Sequence, residues 1–393
     1  MYKKSGRGKL LFARTVVSRI PLVLVFSFYF LLCAVPALAQ SLPLSETAKA
    51  SVITCGPGDD FYTTFGHSAL RICDTATGVD KVYNYGTFDF DTPHFYWKFM
   101  RGQLDYCLGR FSFENFMFEY QAEGRAVWEQ QLNFTPQEVS NLYLLLEQNY
   151  LPEYRYYRYD FFRDNCATRI RDMVYLSCGK KEVVKEEVRE SLSYRDYLHS
   201  AMRDKLEWWA MGVDLLLGLP ADHHCSADDA MFYPLVMQQE FATAQRDGAP
   251  LVGPSTLLLA ENRGEVSDSF PPFVVFTLLF VVMAVLCRWR RAFGIAVRVL
   301  FVVAGLIGLF LLFMWFGTNH YCTEWNLNIL WASPLLIWMA VYLERTPRWA
   351  MWVQLAMFAV ALVWVVWCHL SVAFIPLILT LALCTALMVK VND

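Results

Sequence analysis

The fold class predicted for this 393-residue chain is an α+β domain carried outside the cytoplasm and followed by an α-helical membrane bundle. Three observations predict it. A basic and then apolar leader opens the chain. Residues 40 to about 265 alternate turn signals with short strand-like and helix-like runs. Beyond about Phe270 the chain is mostly Leu, Val, Phe, Trp and Ala. That last region lifts the hydrophobic share to 56% against 18% charged, which is apolar for a soluble protein. The formal net charge of −3 favours no nucleic-acid partner.

The leader, residues 1–39, reads as a secretory signal. Lys3, Lys4, Arg7, Lys9, Arg14 and Arg19 precede an apolar run from Ile20 to about Val35, and Ala37-Leu38-Ala39 fits a small-x-small cleavage site. An uncleaved anchor is the alternative, and either one exports the next segment. Cys33 follows Leu32 rather than a small residue, against a lipid-attachment site.

In the exported domain, residues 40–244, Ala50–Cys55 is a short apolar run closed by Gly56-Pro57-Gly58. Phe65–Ile72 and Lys81–Phe88 read as the strands of a hairpin across the polar Asp74–Asp80 segment. Aromatic-rich sequence then fills Phe95 to Tyr120. Thr135, Pro136 and Glu138 together open a helix: a cap, a first-turn proline and a capping-box acid. A second helix begins at Asp164-Asn165 and stops near Gly179, with Ile170, Val174 and either Met173 or Tyr175 on its buried side.

Cys166 falls in the first turn of that helix. Backbone N–H groups and the positive end of the helix dipole both favour thiolate over thiol there, and the same N–H groups can hold an oxyanion. A thiol nucleophile also needs a proton acceptor. The exported segment offers His67, His94, His199, His223 and His224. His67, on a strand between Gly66 and Ser68, has room to face a cleft. His94 reads as a loop residue. Asp222-His223-His224-Cys225 is too tightly spaced for one tetrahedral metal site, so neither a metal nor a cofactor is expected. Seven of the eleven cysteines lie on the outer side after the leader. The odd number leaves at least one outside any intrachain disulfide, with Cys166 the expected free thiol. Lys180–Glu190 reads as a solvated helix face, and residues 245–271 as a linker.

The membrane domain, residues 272–393, is expected to hold about five spans: Pro272–Cys287, Ile295–Phe316, Leu327–Leu343, Ala350–Cys368 and Ser371–Val389. Arg288, Arg290 and Arg291, then Arg345 and Arg348, then Lys390 fall at alternate ends. Positive-inside places them all in the cytoplasm, which leaves the preceding domain outside. The polar loop Thr318–Asn328 then faces outward, either completing a site at the membrane surface or anchoring there through its Trp and Tyr.

The stretches "FGHSALRI", "VYNYGTFDF", "FYWKFMRGQLDY" and "YDFFRDNCATRIRD" resemble the exported thiol domain of a bacterial lipoprotein N-acyltransferase family. That domain is similar to circularly permuted papain-like, NlpC/P60-like enzymes, in which a strand histidine precedes a cysteine at a helix N-terminus. The resemblance covers about Ser51 to Leu219 and reaches the membrane half through "NLNILWASPLLI". It implies Cys166 as nucleophile and His67 as base. Asn84 is the first choice for the third polar group, with Asp89 behind it, and Asn165 helps form the oxyanion hole. It also implies a membrane phospholipid as acyl donor and the α-amine of a diacylated lipoprotein N-terminus as acceptor, at the outer (periplasmic) face of the bacterial cytoplasmic (inner) membrane. Phe95, Tyr96, Trp97, Phe99 and Met100 either line an acyl groove or serve ordinary core or interface packing. The alternatives are a Cys-His cell-wall amidase or endopeptidase, and a non-catalytic membrane assembly protein.

Overall fold

The computed structural model describes residues 44–179, 183–184, 192–202, 206–264 and 270–391. The leader and the charge-rich face expected in Lys180–Glu190 lie outside the described residues, apart from Val183–Val184. From Leu44 onward the chain packs as one unit.

Six strands appear in order: β1 (Lys49–Cys55), β2 (His67–Asp74), β3 (Val79–Thr87), β4 (Asp105–Ser112), β5 (Val127–Gln131) and β6 (Tyr156–Arg158). Between them run helices α1 (Phe95–Met100), α2 (Phe113–Ala122) and α3 (Pro136–Tyr150). After β6 come α4 (Cys166–Cys178), α5 (Tyr194–Met202), α6 (Glu207–Leu216) and α7 (Pro234–Thr243). Three two-residue strands, β7 (Val183–Val184), β8 (Gln245–Arg246) and β9 (Ala249–Pro250), form a small separate sheet. With strand β10 (Thr256–Leu259) at its edge, the main sheet has the order β10-β5-β1-β2-β3-β4-β6 and is antiparallel at every pairing. This outer strand corrects the expected linker: Thr256 pairs with Glu129 and Leu257 with Trp128. Nearby Leu251 and Val252 are buried in the core. Pairing to a strand well over a hundred residues earlier leaves no periodic mark on so short a run.

Alternation along the strands gives the sheet two apolar faces. Val52, Leu70, Ile72, Tyr83 and Leu108 meet Val139, Leu142 and Leu146 of α3 and Ile170 and Val174 of α4. Ile53, Ala69, Val82 and Val127 meet Phe116 and Tyr120 of α2. The capping box at Thr135 is formed, its hydroxyl accepting from Glu138 N and Glu138 accepting from Thr135 N. A cap contributes about 1 kcal/mol, whereas each buried Leu or Val contributes about 1.5–3 kcal/mol. The apolar stripe therefore holds α3 in place and the cap sets where it starts.

The membrane domain comprises α8 (Pro272–Leu286), α9 (Arg290–Phe316), α10 (Leu335–Val341), α11 (Arg348–Trp367) and α12 (Phe374–Val391). By length and composition, α9 and α11 are long and apolar enough to cross a membrane. The third expected span, Leu327–Leu343, is not one helix. A 3-10 turn at Leu327–Leu330 gives way to an irregular corner at Trp331–Pro334 before the seven-residue α10. Pro334 has no N–H to continue a helix and biases Ser333 away from helical backbone. Packing shapes the same corner: a Cβ on Gly308 of α9 would sit 1.6 Å from the Ala332 carbonyl oxygen. Only glycine allows that approach.

The end of this bundle nearest the exported domain bonds to it. Asn319 N donates to Arg101 O, Gly218 N to Cys322 O, and Ser371 N to Asp214 Oδ2. Trp97 of α1 stacks on Phe313 of α9 with centroids 5.8 Å apart. The arginine-bearing turns at 288–291 and 345–348 begin α9 and α11 at the opposite end, the arrangement positive-inside requires.

Candidate active site

The helix α4 starts where its cap dictates. Asn165 has extended backbone, and its Oδ1 accepts from Thr168 N at 2.9 Å while Thr168 Oγ1 accepts from Asn165 N at 2.8 Å. The approach turn is pinned by Asp160, whose Oδ1 accepts from Phe162 N and Arg163 N. Asp164 forms a two-pronged ion pair with Arg169, at 2.5 and 2.8 Å. These contacts fix Cys166 as the first helical residue, 5% exposed.

His67 opens β2 and Asn84 lies on β3 just before the bulge that separates Asn84 from Thr87 in the β3–β4 ladder. His67 Nε2 donates to Asn84 Oδ1 at 2.5 Å. The imidazole also hydrogen-bonds Cys166. With Nε2 engaged, that bond falls to Nδ1, the nitrogen facing the sulfur. Ser68 N–H and Ala167 N–H donate to the same sulfur. Burial pushes the Cys166 thiol up, but the charge and hydrogen bond of His67 and these two amides outweigh it, and the thiol is held below its ordinary value. Burial likewise pushes His67 down, and the Cys166 thiolate and the Asn84 contact outweigh it. Both shifts favour thiolate and imidazolium relative to a free cysteine and a free histidine. Such an arrangement can attack a carbonyl carbon and hand a proton to a leaving group.

Gly86 lies beside this pair with φ +89, and a Cβ there would lie 3.5 to 3.8 Å from Tyr159, Cys166 and His67. Positive φ favours glycine at this position. Tyr159 is a site residue that sequence reasoning missed. Its side chain lies against Cys166, and its ring stacks on Tyr106 at 4.5 Å. The only signal was its place at the head of the "YDFFRDNC" run.

The structure separates other expected members. Asn165 Nδ2 donates to Phe161 O and Phe232 O, at 2.9 and 2.7 Å. Both amide hydrogens and the carbonyl of that side chain are engaged, so the expected oxyanion role is corrected: Asn165 positions Cys166 and has no donor to offer a substrate. Asp89 is exposed past the end of β3, accepting from Asp91 N. His94 is exposed, and His199 bonds Asp214. The backbone at His223 and Cys225 ties to Tyr194 and Leu192. Among the described residues no group of three or more His, Cys, Asp or Glu is placed to hold a metal ion.

The outward loop after α9 touches the approach turn through Tyr321, whose ring lies under the Arg163 guanidinium at 3.4 Å. Its polar residues face elsewhere. His320 Nε2 donates to Phe99 O, Asn326 Nδ2 to Leu215 O and Leu216 O, and Asn328 Nδ2 to Asp214 O. They fasten the two halves together rather than joining the cysteine and histidine.

A strip of rings connects α1 to the sulfur. Phe99 stacks on Phe95 at 6.2 Å, Phe95 meets Phe88 at 5.7 Å, Phe88 meets Tyr106 at 5.3 Å, and Tyr106 stacks on Tyr159. Phe88, Tyr106 and Tyr159 are only partly buried. At the far end Phe99 and Tyr96 are exposed beside the Trp97–Phe313 contact with the membrane domain.

Fold and site together define a class: a thiol–imidazole–amide cluster in an exported α+β domain, carried on a helical membrane domain. A family model of the Lnb N-terminal periplasmic domain matches residues 40–197, and one of the Lnb transmembrane domain matches residues 264–392. The chain belongs to the Lnb family, a membrane protein with its periplasmic region ahead of its transmembrane region. No curated protein and no solved structure matches it.

Proposed function

We propose that this protein is a lipoprotein N-acyltransferase of the bacterial cytoplasmic membrane, acting at the periplasmic face. The Cys166 thiolate attacks an ester carbonyl of a membrane phospholipid. The sulfur–carbon bond forms, the ester carbon–oxygen bond breaks, and His67 gives its proton to the departing alkoxide, releasing a lysophospholipid. The α-amine of a diacylated lipoprotein's N-terminal cysteine then attacks the thioester. His67 takes the amine proton, the thiolate leaves, and the amide is the product. Asn84 holds the imidazole with Nδ1 toward the sulfur.

The observation that carries this reading is the placement of the Cys166–His67–Asn84 cluster at the end of a ring-lined strip that begins beside the membrane domain. Withdrawing an acyl chain from a bilayer costs about 0.8 kcal/mol per CH₂, on the order of 10 kcal/mol for a whole chain. A domain that works on such a chain gains by sitting on the membrane and offering an apolar path to the sulfur. Exclusion of water along that path favours transfer to an amine over hydrolysis.

The test is intact-mass measurement of the full chain in detergent after incubation with phospholipid, beside Cys166→Ala and His67→Ala. A hydroxylamine-labile adduct of acyl mass on Cys166, absent from Cys166→Ala and transferred on addition of a diacylated lipopeptide, is expected. An unmodified Cys166 in folded protein given phospholipid counts against the acyl-enzyme.

A further inference from the structure

We propose that the Tyr159 hydroxyl is a further catalytic group: it belongs to a side chain set against Cys166 in the resting site and donates to the oxyanion when the sulfur adds to a carbonyl. The assignment rests on the thiol chemistry proposed above and names a donor that this chemistry lacks.

Attack by the sulfur moves the carbonyl π electrons onto oxygen, and a buried site must supply donors for that charge. The Asn165 amide is fully used by Thr168, Phe161 and Phe232. The Ser68 and Ala167 N–H groups are given to the sulfur itself. Thr168 N–H is taken by Asn165 Oδ1 and Arg169 N–H by Asn165 O, which leaves the Cys166 N–H as the backbone donor of the first turn. The side-chain donor in contact with the sulfur besides His67 is Tyr159.

Its geometry suits the task. The position a Cβ on Gly86 would occupy lies 3.5 Å from Tyr159 Cε2, 3.7 Å from Cys166 Cβ and 3.8 Å from His67 Cε1. Glycine at 86 leaves no side chain between the Tyr159 ring, Cys166 and the His67 imidazole, so the three groups converge on one spot beside the backbone. Stacking on Tyr106 fixes the plane of the Tyr159 ring. Burial, with the Cys166 thiolate and neighbouring Tyr157 adding to it, pushes the phenol well above its ordinary value. It stays protonated and acts only as a donor. No proton leaves it in the step: the oxyanion accepts the O–H hydrogen bond, collapses, and expels an alkoxide that takes its proton from His67.

The experiment compares the full-length protein with Tyr159→Phe in detergent, using two reactions of Cys166. Alkylation by iodoacetamide builds no oxyanion, whereas acylation by p-nitrophenyl butyrate does. Phenylalanine keeps the stack on Tyr106. Acylation is expected to fall about a hundredfold or more, the typical loss for one oxyanion donor, while alkylation, read at a pH where the thiol is fully ionised, stays within about threefold. Equal losses in both reactions, or no loss in acylation, would overturn the assignment. So would a wild-type protein inert to the ester. Retained alkylation reports an intact site even where the thermal unfolding midpoint drops. Wild-type protein that reacts with the butyrate ester but not with phospholipid would sink the lipid substrate and leave the role of Tyr159 standing.

Discussion

His67 Nε2 donates to Asn84 Oδ1 at 2.5 Å, and this contact decides which ring nitrogen faces Cys166. Asn84→Ala leaves a buried N–H without its acceptor, a cost of about 1–3 kcal/mol. If that cost falls on the reacting tautomer, acylation of Cys166 drops about ten- to a hundredfold, checked by the initial rate with p-nitrophenyl butyrate. Asn84→Gln, which keeps an acceptor on a longer arm, is expected to recover part of the loss. An Asn84→Ala enzyme as fast as wild type would remove Asn84 from the site.

The pH dependence has a definite sign. Burial raises the Cys166 thiol, and the His67 imidazolium outweighs that effect and lowers it. The thiolate is therefore present at lower pH than in a free cysteine, whose ordinary value is about 8.5. Iodoacetamide alkylation of wild type should rise at a pH below that. In His67→Ala the imidazolium that outweighs burial is gone, so the midpoint moves upward. At pH 7 the variant should react about tenfold more slowly or worse. Superimposable profiles would show that His67 does not stabilise the thiolate.

Phe88 bridges the ring strip, touching both Phe95 and Tyr106. Phe88→Ala opens a gap midway along the proposed acyl path. Apolar contacts of this kind discriminate by about 1–3 kcal/mol. Acylation by a long-chain phospholipid should fall about tenfold or more, with butyrate acylation nearly unchanged. Parallel losses with both donors would show that Phe88 only supports the fold.

Asp214 is fully buried and joins the two halves of the chain. Its carboxylate accepts from Arg195 Nη1 at 2.8 Å, from His199 Nε2 at 2.9 Å and from Ser371 N at 2.7 Å. Breaking a buried pair by removing one partner costs about 3–5 kcal/mol. Asp214→Leu should therefore lower the apparent unfolding midpoint in detergent by on the order of 10 °C. Arg195 also pairs with Asp222 at 2.7 Å, so Arg195→Met and Asp222→Asn together with Asp214→Leu should recover much of that, because the charge network is then removed whole. A triple variant as unstable as the single one would shift the weight from the charge network to the Ser371 contact.

Features carried by near neighbours in the chain are legible in the amino-acid sequence alone. Thr135, Pro136 and Glu138 announce α3, and Asn165 with Gly179 brackets α4 and so places Cys166 at its first turn. Such signals depend on backbone groups three or four residues apart, and packing elsewhere does not alter them. Nothing local joins His67 to Cys166, 99 positions apart: a strand histidine between small residues marks the candidate, and the resemblance implies the pairing.

Tertiary packing decided the rest. Asn84 rather than Asp89 reaches His67 because β3 pairs with β4 through a bulge and then ends at Thr87. Tyr159 meets the sulfur because β6 joins the sheet edge and Tyr106 holds its ring. Asn165 lost its expected oxyanion role to the carbonyls of Phe161 and Phe232, the latter 67 residues away. Thr256–Leu259 became a strand because β5 offered an open edge, and the third apolar segment broke where Gly308 lets Ala332 approach. Each of these outcomes depends on which distant segment supplies the neighbouring surface, and a pattern read along one segment does not contain that surface.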